Sequence, residues 1–465
     1  MADITLSYKG AAIGELSASG TKTIKTAGKY CEDDITLTYV SPGGGGGGGG
    51  GSVASVASGV QFVDYDGTVV EAWPAADVAA KSALPDNPSH TGLTAQGWNW
   101  SLTDIKSFVS ARSDELLTVG QMYTTASGDT EIDIELFGGR LSPYLGIAVN
   151  GEVEVDWGDD TATSTVTGSS TTIQVRTNHT YAAAGQYTIK IHVVSGRFAF
   201  HCTVGYCLLN TNSDTNVMNS AVYSSAVRAV RIGNNADISN SAFLLCFGVK
   251  YVTIPSTVSK IDIKAFDQCY SIESVTVPSG VTSIGDSAFN MCKSLRNIAI
   301  PNSVTAVGAN AFYYCSSMPT VAIPSGVTKI KNYTFSYCNA MSTYKMPPNV
   351  TTLGDKAFEY CDGIQSVELD DALTAIGEGA FAYCYSMSCL TVPANVSSIA
   401  TDAVKNCIGI GELHFAPTVP PVLSSANSLF GLRSDCIIYV PTGYLNTYKT
   451  ATNYPDPAVY TYVEE

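Results

Sequence analysis

The sequence predicts a multidomain, mainly β chain whose C-terminal half is a solenoid of stacked repeats. Three observations carry that class. Cys246, Cys269, Cys292, Cys315, Cys338, Cys361, Cys384 and Cys407 recur every 23 residues, and Phe243, Phe266, Phe289, Phe312, Phe335, Phe358 and Phe381 stand three places before all but the last, where Val404 substitutes. One residue type held at constant period over eight turns marks a quasi-one-dimensional stack. Short runs alternate apolar and polar residues, as half-buried strands do. Finally, only 14% of residues are charged in a chain of 465 that carries 42 glycines and 26 tyrosines, a polar but uncharged surface.

Residues 1–41 read as a small N-terminal β domain, with strands at Ile4-Thr5-Leu6-Ser7-Tyr8 and Ile35-Thr36-Leu37-Thr38-Tyr39 and turns at Gly10, Gly20 and Gly28. Residues 42–59 are a linker holding the glycine run Gly43 to Gly51. It reads as a flexible tether, with close packing of three such runs in a trimer as the alternative. Residues 60–125 read as a small α+β domain. It starts with two strands joined around Asp66-Gly67, a strong hairpin pair, and ends with a helix from Ser101 to Val109 capped by Ser101 or Thr103.

Asp64-Tyr65-Asp66-Gly67-Thr68 resembles the first motif of haloacid-dehalogenase phosphatases, which implies Asp64 as nucleophile, Asp66 as acid/base and a magnesium ion. Too few residues follow for the α/β sheet that chemistry needs, so the hairpin reading is preferred.

Residues 126–200 carry Gly151-Glu152-Val153-Glu154-Val155-Asp156-Trp157-Gly158-Asp159-Asp160, then His179-Thr180-Tyr181 and a final strand from Gly185. This pair of motifs resembles the PKD domain, an immunoglobulin-like β-sandwich. The resemblance implies that Trp157 packs between the sheets and that Tyr181 closes a strand corner. Asp156, Asp159 and Asp160 could offer oxygens to calcium, but acidic residues at a turn more often cap it. No metal or cofactor is expected.

Residues 201–245 should open and cap the solenoid, 246–416 form its repeats and 417–465 close it. In the turn from Cys269, Ile272-x-x-Val275-x-Val277 is a strand and Pro278 ends its ladder; Pro255, Pro301, Pro324, Pro347 and Pro393 recur there, with Asp370 the exception. Gly285 permits a bend, and Ala288, Phe289 and Cys292 should line a short helical turn. The order C-x-x-L-x-x-V-x-V-P-x-x-V-x-x-I-G-x-x-A-F-x-x-C resembles the BspA-like leucine-rich repeats of bacterial and phage surface proteins. Lys331 and Thr334, and later Ala400 and Val404, depart from it. The column cysteines read as buried thiols acting as small apolar fillers, since the strand spacing of about 4.8 Å exceeds a disulfide's Cβ separation.

No enzyme is expected. Five histidines, at 90, 179, 192, 201 and 414, fall at no metal or triad spacing, and Cys202-x4-Cys207 lacks two further ligands. The net charge of −16 argues against nucleic acid, and no apolar run is long enough to insert in a membrane. The start Met1-Ala2-Asp3-Ile4-Thr5 offers no secretory signal.

Tyr314, Tyr337, Tyr360 and Tyr383, each one place before a column cysteine, form the candidate binding residues: a row of phenol rings for gripping sugar rings or a protein surface. The stretch through Tyr39 and the Val60–Tyr123 segment resemble modules of tail proteins of gut phages. The expectation is therefore a virion protein, a phage tail fibre or receptor-binding protein, made in the host cytoplasm. Its N-terminal domain would bind other virion proteins (tail, baseplate or capsid) and its solenoid a host cell-surface glycan or protein. By analogy with fibres it would be a homo-trimer. The alternative is a BspA-like bacterial cell-surface adhesin.

Overall fold

The computed structural model describes residues 4–8, 11–16, 20–25, 34–39, 56–202, 208–210 and 223–465. The chain divides into two units, Met1–Val53 and Ala54–Glu465. In the first, Ile4–Tyr8 pairs antiparallel with Ala11–Leu16, and Gly20–Lys25 with Asp34–Tyr39. The glycine run, Cys31 and Cys207 lie outside the described residues.

In the second unit most repeats lay down two short strands, and paired turns meet in parallel at a 23-residue offset that lengthens to 24 and 25 residues at the closing end. Val275 faces Ile298 on the first sheet, and Ile330 faces Leu353 on the second. Apolar positions from both sheets meet the Phe–Cys segment in one continuous core. The phenylalanines form a column of nearly parallel rings with centroids 5.0–5.7 Å apart.

The thiols are more than fillers. Each Sγ from Cys269 to Cys407 donates to the phenylalanine carbonyl 26 residues back, at 2.9–3.3 Å. That carbonyl already accepts the N–H of its own turn's cysteine, as Phe289 O does from Cys292 N, so the thiol takes its second lone pair. Burial pushes the thiols of Cys269, Cys292, Cys315, Cys338, Cys361 and Cys384 well above their ordinary pKa, which keeps them protonated donors.

The expected helical turn is replaced by a flatter backbone. The residue two places before the phenylalanine and the one before the cysteine have positive φ: Ser287 (57°) and Met291 (58°), Tyr333 (58°) and Tyr337 (62°). This points alternate N–H groups at the next turn. Ser287, Phe289 and Met291 donate to the carbonyls of Ala309, Ala311 and Tyr313. A helix would have kept those bonds within its own turn.

Gly285 serves close approach rather than a special bend, for a Cβ there would lie 2.6 Å from the Asp262 carbonyl carbon. Thr334, buried where other turns place alanine, satisfies its hydroxyl on the Lys331 carbonyl at 2.8 Å.

The strands of the region expected to be a PKD-like sandwich lie in one sheet. Ser164–Asn178, Tyr144–Asp156, Gly185–Phe200 and Thr130–Leu136 are antiparallel neighbours, and Thr130–Leu136 then pairs with Val227–Arg231. Val227–Arg231 in turn pairs in parallel with Tyr251–Thr253, so the sheet takes in the solenoid's first short strand. Ala236–Ile238 likewise adds in parallel to Phe198–Phe200. The opening of the solenoid is thus capped by strand addition. Arg231 braces the junction on Glu131 and Asp133 at 2.6–2.8 Å. Within the sheet Trp157 and Tyr181 are buried, and the Tyr181 hydroxyl donates to the Trp157 carbonyl at 2.9 Å.

Residues 59–125 build a four-stranded sheet in the order Val69–Pro74, Gly59–Val63, Leu116–Thr125, Leu93–Trp98. The expected hairpin is present, with Gly67 at φ 85°. The helix spans Leu102–Ala111, and the Ser101 Oγ accepts from Asp104 N at 3.1 Å.

This domain does not stand apart as a separate module. Alternate residues of Leu116–Thr125 serve two cores. Leu117 and Val119 join the domain's own core. Gly120 lies so close over Thr276 that any Cβ would collide with its side chain. Asn99 Nδ2 donates to the Val277 and Ala299 carbonyls at 2.9 Å each, Trp100 Nε1 to Ile300 O at 2.8 Å, and Arg112 to Ile323 O at 2.8 Å. The first sheet is therefore covered over its early turns and open from Ser366–Glu368 onward. The array closes with Ile437–Val440, a short helix Leu445–Lys449 and Thr461–Glu464, pinned by Tyr448 Oη on Pro417 O at 2.6 Å.

Candidate binding surface

The four column tyrosines come together as the sequence places them. Tyr314, Tyr337, Tyr360 and Tyr383 all sit at positive φ (58–64°), and each donates its N–H to the next turn, as Tyr360 does to Ala382 O at 2.9 Å. The shared backbone sets a shared side-chain direction. Their rings stack at centroid distances of 4.8, 4.7 and 4.4 Å with interplanar angles of 19°, 15° and 2°. Each ring is half-buried. The inner faces cover one another, so ring edges and hydroxyls, rather than flat faces, form the accessible comb.

Burial, followed by neighbouring phenols, holds the Tyr337 phenol above its ordinary pKa. Burial and Tyr383 do the same for Tyr360. Both therefore stay neutral hydrogen-bond donors at physiological pH.

The band is longer than the four residues that reveal it. Phe247 stacks on Tyr270 at 4.7 Å, and Lys293 Nζ lies 4.6 Å from the Tyr270 ring centroid and 5.6 Å from that of Tyr314. These residues occupy the place just after the cysteine, one column over. Tyr313 and Tyr385 meet Tyr337 and Tyr383 of the quartet edge-on, and Tyr333 packs edge-on against Tyr313. Among the nearby charges, Lys356 pairs with Glu359 at 3.5 Å.

The other candidate residues serve turns. Asp64 is buried; its carboxylate meets His90 Nε2 at 2.6 Å and accepts from Tyr65 N at 2.8 Å, while Asp66 accepts from Thr68 N at 2.9 Å. The bonds to the Tyr65 and Thr68 N–H groups belong to the hairpin turn, and His90 reaches Asp64 from 26 residues along the chain. Asp156 accepts from Gly158 N at 2.9 Å. Asp159 accepts from Thr161 Oγ1 at 2.6 Å and meets His179 at 2.7 Å. These carboxylates act as turn caps.

One grouping escaped the sequence. Cys389, Glu412 and His414 present a sulfur, a carboxylate oxygen and a ring nitrogen within 4.8 Å of one another, which corrects the expectation that no histidine stands at metal-ligand spacing. The 23-residue offset itself was the available signal, since it sets Cys389 beside Glu412.

Residues 215–342 and 305–428 match the family described as BspA type leucine rich repeat region, in six copies. No curated protein matches the chain. Among solved structures, it is similar to a leucine-rich cell surface protein of Faecalibacterium prausnitzii (22% identity over 52% of this chain and 74% of that one, TM-score 0.28). It is also similar to a leucine-rich repeat protein of T. pallidum (26%, 34% and 72%, TM-score 0.29) and to the pneumococcal vaccine antigen PcpA (15%, 49% and 76%, TM-score 0.28). The repeat array of this chain is built of BspA-type leucine-rich repeats.

Proposed function

We propose that the protein is a non-enzymatic adhesion protein that holds a cell-surface glycan or protein along the tyrosine band of its solenoid. The observation that carries this reading is the comb itself: four stacked phenols with their edges at the surface, fixed on a rigid ladder of backbone hydrogen bonds. Phenol rings repeating at centroid spacings of 4.4–4.8 Å, each carrying a hydroxyl, suit a ligand that is itself extended and rich in hydrogen-bonding groups. Pre-organised rings lose little entropy on binding.

The finer reading is a tail fibre or receptor-binding protein of a phage particle, with the N-terminal unit attached to other virion proteins. Several copies per particle, with a trimer as the unit, would multiply weak contacts at high effective concentration.

Two measurements test these levels separately. Replacing Tyr314, Tyr337, Tyr360 and Tyr383 together by Asn, a residue that tolerates positive φ, should preserve cooperative unfolding while lowering attachment to the bacteria that the unaltered chain binds by at least about tenfold, since a few lost contacts of about 1 kcal/mol suffice. Unchanged attachment would remove the band as the site. Immunoblotting purified particles against bacterial envelope fractions decides the finer level. Signal in the envelope alone would replace the virion role by that of a BspA-like surface adhesin.

A further inference from the structure

The open half of the first sheet carries chemistry that adhesion does not use. Cys389–Val392 and Glu412–Phe415 are adjacent parallel strands, with Cys389 opposite Glu412 and Thr391 opposite His414. Side chains two apart on a strand share a face. Cys389, Glu412 and His414 therefore mark a triangle on the side away from the core, and their ligand atoms all lie within 4.8 Å of one another. Cys389 is half-exposed and stands on the sheet, outside the core-facing thiol column.

The histidine is held in a particular orientation. Its Nδ1 meets both Glu465 carboxylate oxygens, at 2.9 and 3.0 Å, and its ring lies flat on Tyr439 with centroids 4.3 Å apart. With the Nδ1 proton donated to Glu465, the Nε2 lone pair is left on the side of the Glu412 carboxylate, 3.8 Å away. Carboxylate–imidazole pairs of this kind fix the tautomer and aim of metal-binding histidines.

We propose that Cys389, Glu412 and His414 bind a zinc ion, with Glu465 as the positioning residue. One thiolate, one imidazole and one carboxylate suit a borderline-soft divalent ion and not calcium or magnesium, which take oxygen donors. On binding, the Cys389 thiol gives its proton to solvent and its sulfur lone pair to the metal. Three protein ligands leave the fourth tetrahedral position open to water or to a donor from whatever docks on this face. The ion would clamp two successive turns and, through Glu465, the closing strand.

The test uses the full chain titrated with cobalt(II), then zinc. Expected is one cobalt per chain, with the intense near-ultraviolet absorption of a thiolate–cobalt bond and the visible bands of a tetrahedral site, both erased by one equivalent of zinc. Cys389→Ser should abolish the thiolate band and weaken zinc binding at least about a hundredfold. Glu465→Gln should weaken it about tenfold while keeping the band. Cys361→Ala, in the buried column, should leave the titration unchanged. Zinc should also raise the unfolding temperature of the unaltered chain and not that of Cys389→Ser, whose fold circular dichroism checks independently. Absence of the thiolate band, or its persistence in Cys389→Ser, would overturn the site.

Discussion

A thiol column at period 23 is visible in the sequence, and so is its burial. Its hydrogen bonding is not, because the acceptor lies 26 residues back and is a backbone atom. The distinction has a measurable consequence at Cys361, whose Sγ sits 3.1 Å from the Phe335 carbonyl. If the thiol only filled space, serine would be the worse replacement, since it would add a buried hydroxyl without a partner. With an acceptor already in place, Cys361→Ser should cost no more than Cys361→Ala, each about 1–2 kcal/mol by urea unfolding. A serine variant weaker than the alanine variant by more than about 1 kcal/mol would return the column to the role of apolar filler. The same limit of legibility applies to Thr334. Its departure from the repeat is plain in the sequence, yet the Lys331 carbonyl that accommodates it becomes known only from the folded turn.

At the scale of the repeat element, the strand before each proline stop follows from apolar spacing, as at Ser274–Thr276, whereas the second strand, Ser283–Ile284, falls where the sequence suggests only an inward turn. The Phe–Cys segment misleads because Ala288, Phe289 and Cys292 have helical spacing. Two residues per turn adopt positive φ; Gly379, Asn310, Asp402 and Asn406 are suited to it, but the other turns place less tolerant residues there, so no single side-chain preference announces the pattern. Serine, lysine, methionine and tyrosine all occupy those places. The turn-to-turn N–H bonds, repeated along the stack, outweigh a local cost of about 1–2 kcal/mol per residue. Tyr360, at φ 58°, offers the test. Tyr360→Val keeps an apolar side chain but adds a β-branch that disfavours this conformation, whereas Tyr360→Asn keeps the backbone comfortable and loses the ring. The valine variant should be less stable than the asparagine variant by about 1 kcal/mol in chemical denaturation. The reverse order would mean that ring packing, not backbone geometry, dominates the position.

For the whole molecule, the sequence separates segments by composition and motif, and the folded unit joins them. Nothing in Trp98-Asn99-Trp100 shows that Asn99 and Trp100 find carbonyls 178 and 200 residues away, because a docking face reveals itself only when both surfaces exist. Asn99 is the most exposed to test of these joints. Its amide donates to Val277 O and Ala299 O and accepts from Gly120 N at 2.9 Å, all in a buried setting. Asn99→Ala would strand a donor and remove one partner from each of two carbonyls, at about 1–3 kcal/mol for each group left unsatisfied. Val277 N still donates to Ala299 O, which limits the damage on that side. The expected net loss is therefore about 2–4 kcal/mol, concentrated at the joint. Hydrogen exchange should show it as lost protection at Gly120 and in the strands Ser274–Thr276 and Asn297–Ala299, while the later turns from Ser366 onward stay protected. Uniform loss along the array would instead mean that the 59–125 domain and the solenoid unfold as one cooperative body, so that capping by this domain governs the stability of every turn.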